Sequence, residues 1–103
     1  MTILVDRPRW PKHGHRFAHL VSDASLEELR AFVARLPLER PLRFHRDHYD
    51  VAERDWSTVV NAGAQVVTAR EIVQRLRAAG LRRNRVDQVR IAREDDVLDV
   101  SDV

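Results

Sequence analysis

Phe17-Ala18-His19-Leu20-Val21-Ser22-Asp23-Ala24-Ser25-Leu26-Glu27-Glu28-Leu29 is the stretch whose reading decides the fold. Phe17 to Val21 is apolar apart from His19 and predicts a strand. Ser25 and Glu28 have the spacing of a capping box, in which each side chain satisfies a free backbone N–H of the first helical turn. Leu26, Leu29, Phe32, Val33 and Leu36 then recur on one helical face, and Pro37 stops the pattern. The spacing predicts a strand, a polar corner and a helix over residues 25–36.

Outward from this unit the alternation repeats. Thr2 to Val5 predicts a first strand, with Asp6 at its end. Pro8, Pro11 and Gly14 predict a loop for the residues that follow, and loops of that length in small domains are often functional. Leu42 to His45 suits a third short strand. Ala52 to Ala62 predicts a helix near 53–62, with Trp56, Val59 and Val60 facing inward and Gly63 ending it. Gln65 to Val67 predicts a further strand. Thr68 and Glu71 repeat the capping box, and Ile72, Val73, Leu76 and Ala79 form a third stripe near 69–79, closed by Gly80. Beyond Gly80, Val86, Val89 and Ile91 fit a strand or a helix equally well. No internal repeat is present. The expected class is α/β: a small, largely parallel or mixed sheet of about 3–4 short strands covered by about three helices.

At 103 residues the chain is expected to form one domain, residues 1–93, with an acidic C-terminal tail over 94–103 that is free to move. A chain of this size buries roughly 60–65% of its unfolded surface, so its core is small. It has no cysteine, which excludes disulfides, thiolate zinc sites and a cysteine nucleophile. No apolar run reaches the length of a membrane helix, and Met1 to Val5 breaks at Asp6 too early for a signal peptide. A cytoplasmic protein with no membrane partner is therefore expected. The net charge is only +2, yet the charges are segregated. Arg70, Arg75, Arg77, Arg82, Arg83, Arg85, Arg90 and Arg93 lead into Glu94, Asp95, Asp96, Asp99 and Asp102. Lys12 is the only lysine, a bias that a GC-rich genome also produces.

All five histidines lie in the first 48 residues: His13, His15, His19, His45 and His48. Asp6, Asp23, Asp47 and Asp50 stand among them, most densely from Phe44 to Asp50. Histidine and carboxylate bind divalent metals and move protons near neutral pH. In α/β sheets, ligands bind beyond the carboxyl ends of strands. Asp6, Asp23 and the segment His48–Asp50 each follow a predicted strand, which predicts that they meet at one edge. His48 and Asp50, two apart, share a face if the segment is extended. Local readings stay open beside this one. Asp23 can cap the helix begun at Ser25, His19 can bond backbone, and Asp50 can cap the second helix from a turn. His13 and His15, beside Lys12 and Arg16, are most simply solvated. Trp10 either anchors its loop or stacks on a ring, and anchoring is the simpler role. Arg70, Arg75 and Arg77 read as a solvated helix face, with Glu71 and Arg75 as a supporting pair.

Val5-Asp6, Arg9-Trp10-Pro11, His19-Leu20-Val21-Ser22-Asp23 before Leu26-Glu27-Glu28-Leu29 and Phe32, His48-Tyr49-Asp50-Val51, and Ala62-Gly63-Ala64 make up a set. Over roughly residues 2–80 this set resembles the small bacterial and phage family filed as domain of unknown function 4031. The resemblance implies a bacterial or phage origin and no particular reaction. It implies that Asp6, Trp10, His19, Asp23, His48, Tyr49 and Asp50 occupy family motif positions. His13, His15 and His45 do not map, and Phe17-Ala18 departs from the Trp and small residue expected before His19.

No Walker loop, G-x-G-x-x-G, G-x-S-x-G or H-E-x-x-H occurs, so an activated water is the expected attacker in any hydrolysis. The leading expectation is a metal-dependent hydrolase of a phosphoester, in a nucleotide or nucleic acid. Asp6, Asp23 and Asp50 would supply oxygen ligands to a divalent ion. His19, His48 and Asp50 would do the catalytic work, and Trp10 or Tyr49 would anchor or stack. Arg82, Arg83 and Arg85 would contact phosphate or nucleic acid. Pairing of those arginines with the acidic tail, within one chain or across a homodimer, is the favoured competing role. The alternative functions are a protein-interaction domain and an arginine-mediated nucleic-acid-binding module. The near-neutral charge and acidic tail weigh against the last.

Overall fold

The computed structural model describes residues 2–12 and 14–81. Six strands and three helices follow one another as β1 (Ile3–Val5), β2 (Trp10–Lys12), β3 (His15–Ser22), α1 (Leu26–Ala34), β4 (Arg43–His45), β5 (His48–Ala52), α2 (Glu53–Asn61), β6 (Gln65–Val66) and α3 (Ala69–Ala78). The strands form one mixed sheet in the order β4-β5-β3-β1-β6, with β2 pairing the start of β3. The fold is the expected small α/β domain with three helices. It has more strands than the sequence predicts, and most are antiparallel. Only β1 and β6 run parallel, whereas β1–β3, β2–β3, β3–β5 and β4–β5 are all antiparallel.

The helices form where local signals are strongest. Ser25 caps α1 by accepting the Glu28 backbone N–H at 3.0 Å. The reciprocal half of the box is redirected: Ser22 Oγ donates to the Glu28 carboxylate at 2.9 Å and accepts the Ala24 and Ser25 N–H groups. Thr68 caps α3 by accepting the Glu71 N–H at 3.1 Å. The N-cap of α2 is Ala52, with no side-chain cap, so Asp50 does not serve there.

Two strands escape a sequence reading. β2 lies in the stretch expected to be loop and contains Pro11, opposite Arg16. A proline has no N–H for the ladder but is tolerated on a short edge strand. β5 begins at His48, directly after a tight turn in which Arg46 adopts φ 60 and the Asp47 N–H donates to the His45 carbonyl at 2.7 Å.

Strand alternation divides the core in two. Val5, Ala18, Leu20 and Val51 face α1 and α2 and are fully buried with Leu29 and Val59. Leu4 and Val21 face the other way and pack against Ile72 and Leu76 of α3. Each such buried side chain contributes about 1.5–3 kcal/mol. Among the described residues, the apolar packing on the α3 side of the sheet thus lies at β1 and the end of β3. Farther along that same face, alternation places His19, His48 and Asp50.

Candidate functional site

The site is assembled by strand register. His19 of β3 stands directly opposite Asp50 of β5, and His45 of β4 opposite His48. Asp6 follows β1 and extends its pairing by one step, its N–H donating to the His19 carbonyl at 3.2 Å. The Asp6 carboxylate is 2% exposed. One of its oxygens accepts the His19 backbone N–H at 2.6 Å, and the other lies 2.9 Å from His19 Nδ1. The Trp10 indole N–H reaches the second oxygen at a long 3.4 Å. From α2, the Trp56 indole N–H donates to the Asp6 carbonyl at 2.8 Å.

His48 is held in the same manner by a different carboxylate. The turn places Asp47 with an oxygen 2.9 Å from His48 Nδ1. On the other side of the ring, His48 Nε2 is 3.2 Å from Asp50. The rings form a contiguous row: Trp10 against His19 at 5.4 Å, His19 against His48 at 4.9 Å, and His48 against His45 at 5.5 Å, all edge to face. One donor atom each from His19, His48 and Asp50 lies within 4.8 Å of the others. Ligands of one zinc-type ion stand about 3–4 Å apart, so a small contraction would close this group on a cation. With Nδ1 of His19 committed to Asp6, its Nε2 is the nitrogen left to ligate.

Burial by itself would lower the His48 pKa, but hydrogen bonds to Asp47 and Asp50, and their charges, outweigh it and raise it above the ordinary 6.5. Because the folded value is the higher one, protonation of His48 favours the folded state fully below 6.5, and this contribution is lost as pH rises through the folded pKa. Thermal melts of metal-free protein should show that loss. His48→Gln should flatten it, and an unchanged profile in that variant would assign the titration elsewhere. If this group holds a metal ion, its uptake runs in the opposite direction, since a ligating imidazole must first lose its proton.

The other expected site residues are placed as follows. Asp23 does not join the cluster. It lies at the far end of β3, accepting the Thr2 N–H at 2.7 Å and pairing with Arg75 at 2.8 Å. It therefore neither ligates beside Asp6 and Asp50 nor caps α1. Asp6 lies behind His19 as its orienting partner rather than among the three converging donors. Tyr49 points to the opposite face, edge-on to Phe44 at 5.1 Å and packed on the core, so it is no stacking group at the site. His15 is exposed. Arg75 pairs with Glu71 at 3.2 Å, as the helical spacing predicts. His13, Arg82, Arg83, Arg85 and the acidic tail lie outside the described residues. Neither Asp47 nor the Trp56 indole has a role that the sequence foretells. The spacing His45-Arg46-Asp47-His48, two residues between two strand-compatible histidines, was the available sign of the turn.

Together these features define a small mixed α/β domain with a carboxylate-buttressed histidine pair on one face of its sheet. No helix among the described residues is long and apolar enough to cross a membrane. The chain belongs to the family described as protein of unknown function (DUF4031), whose model matches residues 3–79. That span runs from β1 through α3 and contains every residue of the cluster. No curated protein and no solved structure matches the chain.

Proposed function

We propose that this protein is a metal-dependent hydrolase of phosphoesters, with one divalent ion held by His19, His48 and Asp50. The observation that carries the reading is the double buttress: Asp6 on His19 Nδ1 and Asp47 on His48 Nδ1, each at 2.9 Å. Metal-ligating histidines almost always donate their second ring N–H to such a partner, which sets the tautomer and raises ligand basicity. Two histidines and one carboxylate leave coordination positions open for water and substrate. A bound divalent ion supplies Lewis acidity and a water acidic enough to attack at neutral pH. Asp6 and Asp47 aim the rings. Arg43 occupies the register position opposite Asp50 and is exposed, as is Arg9 next to Trp10, and both suit an anionic ester.

The competing reading is a purely structural network, favoured by the 3.2 Å contact through which a protonated His48 already satisfies Asp50. Calorimetric titration with Zn²⁺ and Mn²⁺ separates the two. The hydrolase reading expects one ion per chain, lost in His19→Ala, and metal-dependent turnover of bis(p-nitrophenyl) phosphate. A folded protein that takes up neither ion would leave the structural network standing.

A further inference from the structure

Trp10 is the one large apolar side chain that stays exposed among the described residues, at 40%. It belongs to neither apolar cluster. It is nonetheless held in place: β2 pairs it with Phe17, its indole N–H approaches Asp6, and its ring meets His19 edge-on at 5.4 Å. A tryptophan that served only as an anchor would bury its ring, where most of its stabilisation originates. This ring is positioned by the groups that position His19 and remains open to solvent.

A cleft of about 450 Å³ is lined by Asp6, Arg7 and Arg9, which precede Trp10 in the chain, and by Thr68 and Glu71 among others. The cleft sits beyond the carboxyl ends of the parallel pair β1 and β6, and its volume suits a small ligand. Asp6 is the shared wall. Its carboxylate faces His19 and Trp10, and the residue also borders the cleft. Arg7 and Arg9 are two exposed cations at this wall, Arg7 with its guanidinium 5.9 Å from the Trp56 ring. Asp6 thus links the arginine-bearing cleft to the Trp10 ring and, through His19, to the His/Asp cluster.

We propose that Trp10 is a stacking platform for a nucleobase, so that the ester handled at the cluster is carried by a nucleotide unit. This rests on the phosphoester reading above. Aromatic side chains stack any base through its π-face, and guanidinium groups take the attached phosphate. The unit comes either from a free nucleotide or from a single strand, and the chemistry of recognition is the same.

Calorimetry on the metal-loaded protein with adenosine 5′-monophosphate, ribose 5-phosphate and a short single-stranded oligonucleotide tests the proposal. In the wild type, adenosine 5′-monophosphate should bind more tightly than ribose 5-phosphate. Trp10→Ala should weaken the nucleotide by about tenfold or more and leave ribose 5-phosphate and metal uptake unchanged. Trp10→Phe should retain most of the affinity. Tighter binding of the oligonucleotide with the same Trp10 dependence identifies a strand as the source, and its absence identifies the free nucleotide. Equal binding of the two phosphates by the wild type, or an equal loss of both in Trp10→Ala, overturns the proposal, as does a folded, metal-loaded protein that binds no nucleotide. Trp10-dependent nucleotide binding without metal uptake would instead remove the hydrolase reading and keep the platform.

Discussion

Replacing His48 with alanine should abolish the proposed metal uptake and destabilise the metal-free fold by roughly 3–5 kcal/mol. His48 is 3% exposed and stands between two carboxylates, with Asp47 at 2.9 Å and Asp50 at 3.2 Å. Its removal takes away the partner both anions share and leaves a void between them. Breaking a buried pair from one side is costly because the remaining charge loses an interaction that offset its desolvation. For a domain near this size each kcal/mol shifts Tm by about 4–8 °C, so the drop should exceed about 10 °C. Urea unfolding with a chelator present measures the loss without the metal. The effect should be largest at low pH, where His48 is charged, and should shrink as pH rises. A loss below about 1 kcal/mol at low pH would mean that the carboxylates reach water easily and that the cluster is far less buried than its geometry implies.

Asp6→Ala should be nearly as severe and acts through a different route. It removes the acceptor for the His19 backbone N–H at 2.6 Å, the His19 ring at 2.9 Å and the Trp10 indole at 3.4 Å. Each buried donor left without a partner costs about 1–3 kcal/mol, and the two His19 groups share one carboxylate, so roughly 3 kcal/mol in total is expected. His19 also loses the group that sets its tautomer, which should weaken metal binding by about 10–100-fold. Asp6→Asn keeps an acceptor oxygen and loses the charge, so it should fall between the two in stability and still lose metal affinity. Circular dichroism melts and calorimetric titration read the two consequences separately. Full metal affinity in folded Asp6→Ala would show that His19 needs no orienting partner, and the double buttress would lose its meaning.

The helices are legible from sequence because their signals span three or four residues. Ser25 and Glu28, Thr68 and Glu71, and the stripes ending at Leu36 and Ala79 all lie within single segments. Strands such as Trp10–Lys12 and His48–Ala52 carry no comparable signature. Three residues including a proline become a strand only because β3 offers a ladder to pair with. The density of His and Asp from Phe44 to Asp50 is equally plain in the sequence, and the sheet sets His48 and Asp50 of that segment beside His19.

The order of the residues alone therefore showed histidine and aspartate crowding one segment of a small α/β chain, and local spacing showed where its helices begin. Strand direction was decided only in three dimensions. Asp6 and Asp23 both follow strands, and a parallel pair would have brought them together. β1 and β3 are antiparallel, with Ile3 opposite Ser22 and Val5 opposite Leu20. The ends of the two strands therefore point apart, Asp6 reaching His19 while Asp23 returns to Thr2. Four residues of extended chain separate His19 from Asp23 by roughly 13 Å. The direction in which two strands pair depends on connections and packing across the whole domain, and no window of sequence contains it. The same holds for Asp47 and Asp50: the chain lists them as neighbours of His48, and only the turn at Arg46 and the register with β3 put one on each side of its ring.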